Sequence, residues 1–275
     1  MLIADEVHNV SEELAQAALL ENYTYRMGLS AKPERWMDDS GNAALLRYFD
    51  RIVYRYSLAD AIKDGTLTPY DYFPIICTSQ DAEYLDDAIP LGINARSSRF
   101  KREFTSTAGY TQGHSLVYCS YQTVADILMF LGQDLGLAVH TFTAEESADE
   151  RRDILSQFGN GILHSLVAMK CLDEGIDVPA TRIAYLLASS ANPKQFVQRR
   201  GRVLRRSPGK DKAIIFDFLY LEAANSDRGR SSVQNELTRF AEFASVALNS
   251  DSAVKKLRDA GHEIGINLSD YLMEI

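Results

Sequence analysis

From Ser115 to Phe218 the chain alternates two textures. Short apolar runs stand at "SLVYCS" (115–120), "GLAVHTF" (136–142), "SLVAMKCL" (165–172), "RIAYLLAS" (182–189) and "AIIFDF" (213–218). They are rich in Val, Ile, Leu and aromatics and nearly continuous in apolar character, as strands buried on both faces are. Between them, "TVADILMFLGQDL" and "ADERRDILSQFG" space apolar residues three and four apart, the pattern of amphipathic helices. This alternation confines the region to an α/β class, a parallel doubly wound sheet flanked by helices.

The flanks differ. "MLIA" is a short apolar strand running into "DEVH", and "YRMGLSAKPERW" holds a second short strand ending in a loop. Two strands do not make a stable domain alone, so residues 1–36 read as the end of another sheet whose remainder lies upstream. Residues 37–110 are less regular: "LRYFDRIVYRYSLADAIKDGTLTPYDYFPIICTS" holds two aromatic-rich strand candidates with a short helix between them that Ser57 is placed to cap. "NARSSRFKREFTSTAGYTQG" reads as a polar helix or loop. Beyond residue 220, "SSVQNELTRFAEFASVALNS" and "DSAVKKLRDAGHEIG" are two amphipathic helical segments.

Charge singles out one stretch. The chain carries a formal −9, yet Lys194–Lys210 holds seven basic residues and no acidic one. An acidic chain does not coat polyanions over its whole surface, so such a ligand would meet a local basic groove. Asn192 and Pro193 suit the start of a helix. On that helix Gln198, Arg202 and Arg205 fall within roughly 40° of one line, at i, i+4 and i+7. Leu204 and Val197 lie on another face, able to pack against the sheet. Planar guanidinium groups suit phosphate oxygens and the charge of a phosphoryl group in transfer. A solvated basic helix face is the competing reading of the same spacing.

"QRRGRVLR" (198–205) resembles motif VI of superfamily 2 helicases and translocases, and four companions stand in order. "DEVH" (5–8) resembles motif II, "GLSAKPER" (28–35) motif III, "LVYCSY" (116–121) motif IV and "LVAMKCLDEGIDVP" (166–179) motif V. "VYRYSLADAIKDGTLTPYDY" resembles the linker of DEAD/DEAH-box proteins of restriction and phage-defence type.

The resemblance implies a RecA-like parallel-sheet lobe at 111–220, a remnant of a preceding RecA-like lobe at 1–36, an interlobe linker at 37–110 and a C-terminal helical extension at 221–275. It implies ATP and Mg²⁺ as cofactors and nucleic acid as partner, DNA favoured over RNA. By position, Asp5 would hold the metal, Glu6 would activate the attacking water and His8 would couple nucleotide state to the other lobe. Ser30 would lie at the interlobe contact. Arg202 and Arg205 would be arginine fingers with Gln198 beside them. Gly175 and Asp177 would border the nucleotide, and Ser120, Met169 and Lys170 the nucleic-acid backbone.

Two departures matter. Lys32 stands where motif III usually carries a hydroxyl, so it would either break a coupling hydrogen bond or add a phosphate contact. No G-x-x-x-x-G-K-S/T loop occurs, which removes the usual cradle for the β- and γ-phosphates. The expectation is the C-terminal part of a longer DNA translocase or helicase, hardly active alone, with a missing upstream lobe supplied in cis or in trans. The alternative is a non-catalytic RecA-like module that binds nucleic acid or a partner. No apolar run is long enough to span a bilayer, and Cys77, Cys119 and Cys171 match no zinc spacing, so a cytoplasmic protein with reduced thiols is expected.

Overall fold

The computed structural model describes residues 1–7, 22–30, 39–83, 89–143, 146–169, 178, 180–188, 201–222, 227–264 and 268. The chain divides into two compact units, one of residues 1–57 with 192–198 and one of residues 58–191 with 199–275.

In the smaller unit, β1 (Leu2–Ala4) pairs in parallel with β2 (Arg26–Gly28), in register Ala4 to Gly28. Helix α1 (Asp39–Phe49) follows. Arg26 lies over the Tyr48 ring at 4.2 Å and donates from Nε to the Tyr23 carbonyl at 2.9 Å, tying helix to strand. Gly28 is needed where the elements close up, since a Cβ there would come within 3.1 Å of Val7 and 3.4 Å of Phe49.

The larger unit is built on a six-stranded sheet in the order β3-β8-β7-β4-β6-β5, parallel throughout. Its strands are β3 (Tyr70–Cys77), β4 (Ser115–Tyr118), β5 (Val139–Phe142), β6 (Ser165–Ala168), β7 (Ile183–Leu186) and β8 (Ala213–Tyr220). β4, β6 and β7 are buried at every residue, as their unbroken apolar runs require. The helices are α2 (Leu58–Lys63), α3 (Leu91–Phe104), α4 (Ala108–Gln112), α5 (Val124–Met129), α6 (Ala148–Gly159), α7 (Asp227–Ala244) and α8 (Ser250–Glu263). Helix α6 opens with a reciprocal cap: Ser147 Oγ accepts from the Glu150 amide at 3.3 Å and Glu150 Oε2 from the Ser147 amide at 2.8 Å.

Two expectations from the sequence are corrected here. The sheet begins at Tyr70, inside the stretch read as an interlobe linker, and α3 packs with it. "YDYFPIIC" becomes a sheet strand because it pairs over eight residues with β8, Tyr70 to Ala213 through Cys77 to Tyr220, a partner remote in sequence. "RIVYRY" forms no strand: Val53 and Tyr54 are 79% and 75% exposed, although Tyr54 and Tyr56 stack at 6.3 Å.

The C-terminal helices cover β3. An edge strand with unpaired backbone invites a foreign strand, and here Asn249 takes that place. Its Oδ1 accepts from the Tyr72 amide at 2.8 Å and its Nδ2 donates to the Tyr72 carbonyl at 3.0 Å. The Leu248 amide donates to the Tyr70 carbonyl at 2.9 Å. Behind β8 lies a fully buried ionic cluster. Arg239 of α7 meets Asp217 of β8 at 2.9 Å and Glu236 at 2.8 Å, and Arg96 of α3 meets Glu236 at 2.6 Å. The Tyr72 hydroxyl donates to Asp217 at 2.8 Å. Helices from both parts of the chain are thereby joined to the sheet through one neutral set of four charges.

Phe100 and Phe104 of α3 pack with Tyr185 of β7, their ring centroids 5.1–5.4 Å apart. The Tyr185 hydroxyl reaches Thr107 Oγ1 at 2.5 Å. Gly109 passes so close that an added Cβ would lie 2.0 Å from the Tyr185 hydroxyl and 2.8 Å from its ring carbon. Gly109→Ala is therefore expected to lower stability by roughly 1–3 kcal/mol through overpacking, read as a shift in urea midpoint at unchanged m-value. Tyr185→Phe in the same background should recover part of the loss.

Candidate functional site

The smaller unit gathers three of the expected site residues at one strand edge. β1 and β2 run parallel, so Asp5 and Glu6 after β1 and Ser30 after β2 leave the sheet at the same carboxyl end. The turn is held by the Leu29 amide donating to the Ala4 carbonyl at 2.8 Å and the Val7 amide to the Leu29 carbonyl at 3.1 Å. Glu6 takes a left-handed φ of 49°, which β-strand exits favour only where the surroundings hold them. Asp5 Oδ1 accepts the Glu6 amide at 2.9 Å. The result is an exposed carboxylate next to a half-buried one on a rigid strand end. Among the described residues no group of three or more His, Cys, Asp or Glu could hold a metal alone. Two hard carboxylates fit magnesium, which takes its remaining oxygens from water and phosphate.

In the larger unit the carboxyl ends of the parallel strands bring Ser120 and Met169 together. β4 and β6 are neighbours, Tyr118 stands opposite Ala168, and the Cys119 amide donates to the Ala168 carbonyl at 3.1 Å. Ser120 follows immediately, its hydroxyl donating to Gln122 Oε1 and its carbonyl accepting the Thr123 amide at 3.0 Å. Met169 is half-buried one residue beyond β6. Tyr121, 75% exposed, stands at the same edge. Crevices at the carboxyl ends of parallel strands are where open α/β sheets take ligands. Burial pushes the Cys119 thiol up to about 12, so it serves as a packing group beneath this edge.

Arg202 and Arg205 belong to the opposite edge. The Leu204 carbonyl accepts the Thr68 amide at 2.7 Å, two residues before β3 begins, and Arg205 forms an isolated antiparallel bridge with Leu67. Here the expected geometry is corrected. Residues 201–203 are helical, but Leu204 is a turn and Arg205 has left the helix. The shared helical face proposed for Gln198, Arg202 and Arg205 does not extend to Arg205, because its backbone is captured by the segment before β3. Val203 and Leu204 are 2% and 0% exposed and anchor the segment, while Arg202 is half-buried and Arg205 exposed. His8, Lys32, Lys170, Gly175, Asp177 and Gln198 lie outside the described residues.

Sequence reasoning missed two sets of residues. Leu67 and Thr68 hold the arginine segment, and Lys210 lies buried beneath it at 7% exposure. Asp217, Glu236, Arg239 and Arg96 form the buried cluster behind β8. The available signal for the latter was a charged residue inside an apolar run, Asp217 within "AIIFDF".

Residues 100–207 match the family described as the helicase conserved C-terminal domain. The chain is 26% identical over 258 residues to the DNA 3'-5' translocase XPB2 of Sulfurisphaera tokodaii, covering 78% of this chain and 57% of that one. The chain spans about half the length of the curated relatives it matches, 42% and 57% in two cases. Among solved structures, the ATP-dependent Type ISP restriction-modification enzyme LlaBIII bound to DNA superposes with a TM-score of 0.59 at 16% identity, over 88% of this chain and 20% of that one. S. cerevisiae Dbp5 bound to RNA and ADP BeF3 superposes with a TM-score of 0.52 at 16% identity, over 86% of this chain and 57% of that one. No described helix is long and apolar enough to cross a membrane. The six-stranded parallel sheet is a RecA-like lobe, and residues 100–207 within it are similar to the helicase conserved C-terminal domain.

Proposed function

We propose that this chain supplies the second RecA-like lobe, and the motif II and III strands of the first, to an ATP-dependent DNA helicase or translocase. The observation that carries the reading is the division of the larger unit's site residues between two edges of one parallel sheet. Ser120 and Met169 share the carboxyl edge, and the Arg202–Arg205 segment is tied to the amino edge. One edge is thus free to follow a nucleic-acid backbone while the other presents cations to a nucleotide.

In this reading Asp5 would hold magnesium, and Glu6 would accept a proton from the attacking water as general base. Magnesium, when bound, offsets charge on the nucleotide's phosphates. Arg202 and Arg205 donate to γ-phosphate oxygens as charge develops there, with Gln198 beside them. Gly175 and Asp177 border the nucleotide. His8 and Ser30 couple its state to the other lobe, and Lys32 adds a cation at motif III. Ser120, Met169 and Lys170 follow the nucleic-acid backbone. DNA is favoured over RNA because the translocase and the restriction enzyme to which the chain is similar are DNA proteins by name. The sequence holds no phosphate loop, so the nucleotide's β- and γ-phosphates are to be held by a lobe outside these residues.

The test is ATP hydrolysis by the natural gene product containing this chain, with single-stranded DNA, duplex DNA, RNA or none. Stimulation by DNA at least about tenfold above RNA supports the reading. Equal rates with and without any nucleic acid would remove it in favour of a binding module.

A further inference from the structure

We propose that Lys210 is a positioning residue that fixes the Arg202–Arg205 segment in place for phosphate contact. The inference rests on the arginine reading above and adds a residue to it.

Lys210 is 7% exposed, unusual for a lysine. Its ammonium donates to the Val203 carbonyl at 2.5 Å and to the Arg205 carbonyl at 2.9 Å. These are carbonyls at the end of the helical turn 201–203 and just beyond it, groups that a helix leaves without intrahelical donors. A cation is favoured at a helix carboxyl end by the peptide dipoles as well. With three donors on one nitrogen, lysine can bind both carbonyls at once.

The loop is shaped to deliver it. Ser207-Pro208-Gly209-Lys210 closes with the Lys210 amide donating to the Ser207 carbonyl at 3.1 Å. Proline at the second position and glycine at the third, with φ of 70°, are the requirements of a type II turn. The turn folds the chain back so that the Lys210 side chain runs under the segment it follows. On the other side, Thr68 and Leu67 take the Leu204 carbonyl and the Arg205 backbone. The segment is clamped between a buried ammonium and a backbone bridge, while the Arg205 side chain stays exposed. An arginine that must meet a phosphate oxygen within about 0.5 Å needs such support. Lys210 touches no expected reactant, so its effect passes through Arg205.

Two readouts test this. In hydrogen exchange on the whole chain, Lys210→Met, which keeps the aliphatic stem, is expected to reduce protection of the Thr68 and Arg205 amides at least about tenfold. The β8 amides should keep theirs. Gly209→Val, which strains the turn without altering Lys210, should give the same local loss. Unchanged protection in Lys210→Met overturns the proposal. So does an equal loss across β8, which would make the residue a general folding determinant. In ATP hydrolysis by the natural gene product, Lys210→Met should lower kcat about tenfold with KM for ATP within twofold, and Lys210→Arg should restore most of it. Arg205→Ala runs alongside. Turnover lost in Arg205→Ala but normal in Lys210→Met overturns the positioning role alone. Normal turnover in Arg205→Ala removes the arginine reading beneath it.

Discussion

Replacing Arg239 by methionine is expected to cost this chain on the order of 3–5 kcal/mol of stability, a melting shift of roughly 6–20 °C. The reason is the charge left behind. Arg239 donates from Nε to Asp217 Oδ2 at 3.1 Å and contacts Asp217 Oδ1 at 2.9 Å and Glu236 Oε2 at 2.8 Å. The side chains of Arg239, Asp217 and Glu236 are 1%, 0% and 3% exposed. A buried pair need not stabilise a fold more than apolar residues of the same shape, but removal of one partner strands the other. Without Arg239, Asp217 keeps the Tyr72 hydroxyl and Glu236 keeps Arg96, leaving one cation for two carboxylates in this cluster.

The same variant carries a pH signature. Burial pushes the Asp217 carboxyl up from its ordinary value, and Arg239 is the main influence pulling it back down. With Arg239 gone the folded-state value rises further above that of the unfolded chain. The folded state then binds more protons, so stability is highest below the unfolded value and falls as pH rises through the folded one. Urea titrations of Arg239→Met should show a smaller defect at pH 5 than at pH 7. Adding Asp217→Asn should recover part of the loss at neutral pH and flatten the dependence. A defect independent of pH and untouched by Asp217→Asn would point to lost packing of the guanidinium stem instead.

How much of this the sequence disclosed follows from the range of each interaction. The runs that became β4, β6 and β7 were legible because burial on both faces leaves a mark at every residue, as in Leu116–Tyr118 and Ile183–Leu186. β3 escaped as part of the sheet because its Pro74 and scattered aromatics look irregular locally. Its place is set by β8, and Asn249 satisfies the Tyr72 backbone from still further along the chain. Helical spacing placed Arg205 on a face with Gln198, but the Thr68 amide and the Leu67 bridge end the regular helix first. The grouping of Asp5, Glu6 and Ser30 was legible as motifs, and the parallel pairing of β1 with β2 supplies the physical cause. The ionic cluster left almost no local trace, since Arg96, Asp217 and Arg239 come from three separate elements.

Arg202→Ala or Arg205→Ala in the natural gene product is expected to lower DNA-stimulated ATP turnover by about 10³-fold or more, near 4 kcal/mol of transition-state stabilisation. Stability of the chain should change by less than about 1 kcal/mol. Arg205 is exposed, and its backbone is held through the Leu67 bridge and the Lys210 ammonium. Substitution of its side chain therefore spares the clamp. Because Ser120 and Met169 leave the sheet at the other edge, DNA affinity in the arginine variants should stay within about threefold of the parent. Lysine in place of either arginine should restore little, since a point charge lacks the planar fork that matches two phosphate oxygens.

The most direct measurement is a crystal or cryo-EM structure of the natural gene product with DNA and ADP–beryllium fluoride, a mimic of the γ-phosphate. The account predicts guanidinium nitrogens of Arg202 and Arg205 about 2.7–3.0 Å from the fluoride atoms, with the Lys210 ammonium still on the Val203 and Arg205 carbonyls. It predicts DNA along Ser120 and Met169. A nucleotide bound with both guanidinium groups turned to solvent, or DNA lying across the Arg202–Arg205 segment, would contradict it.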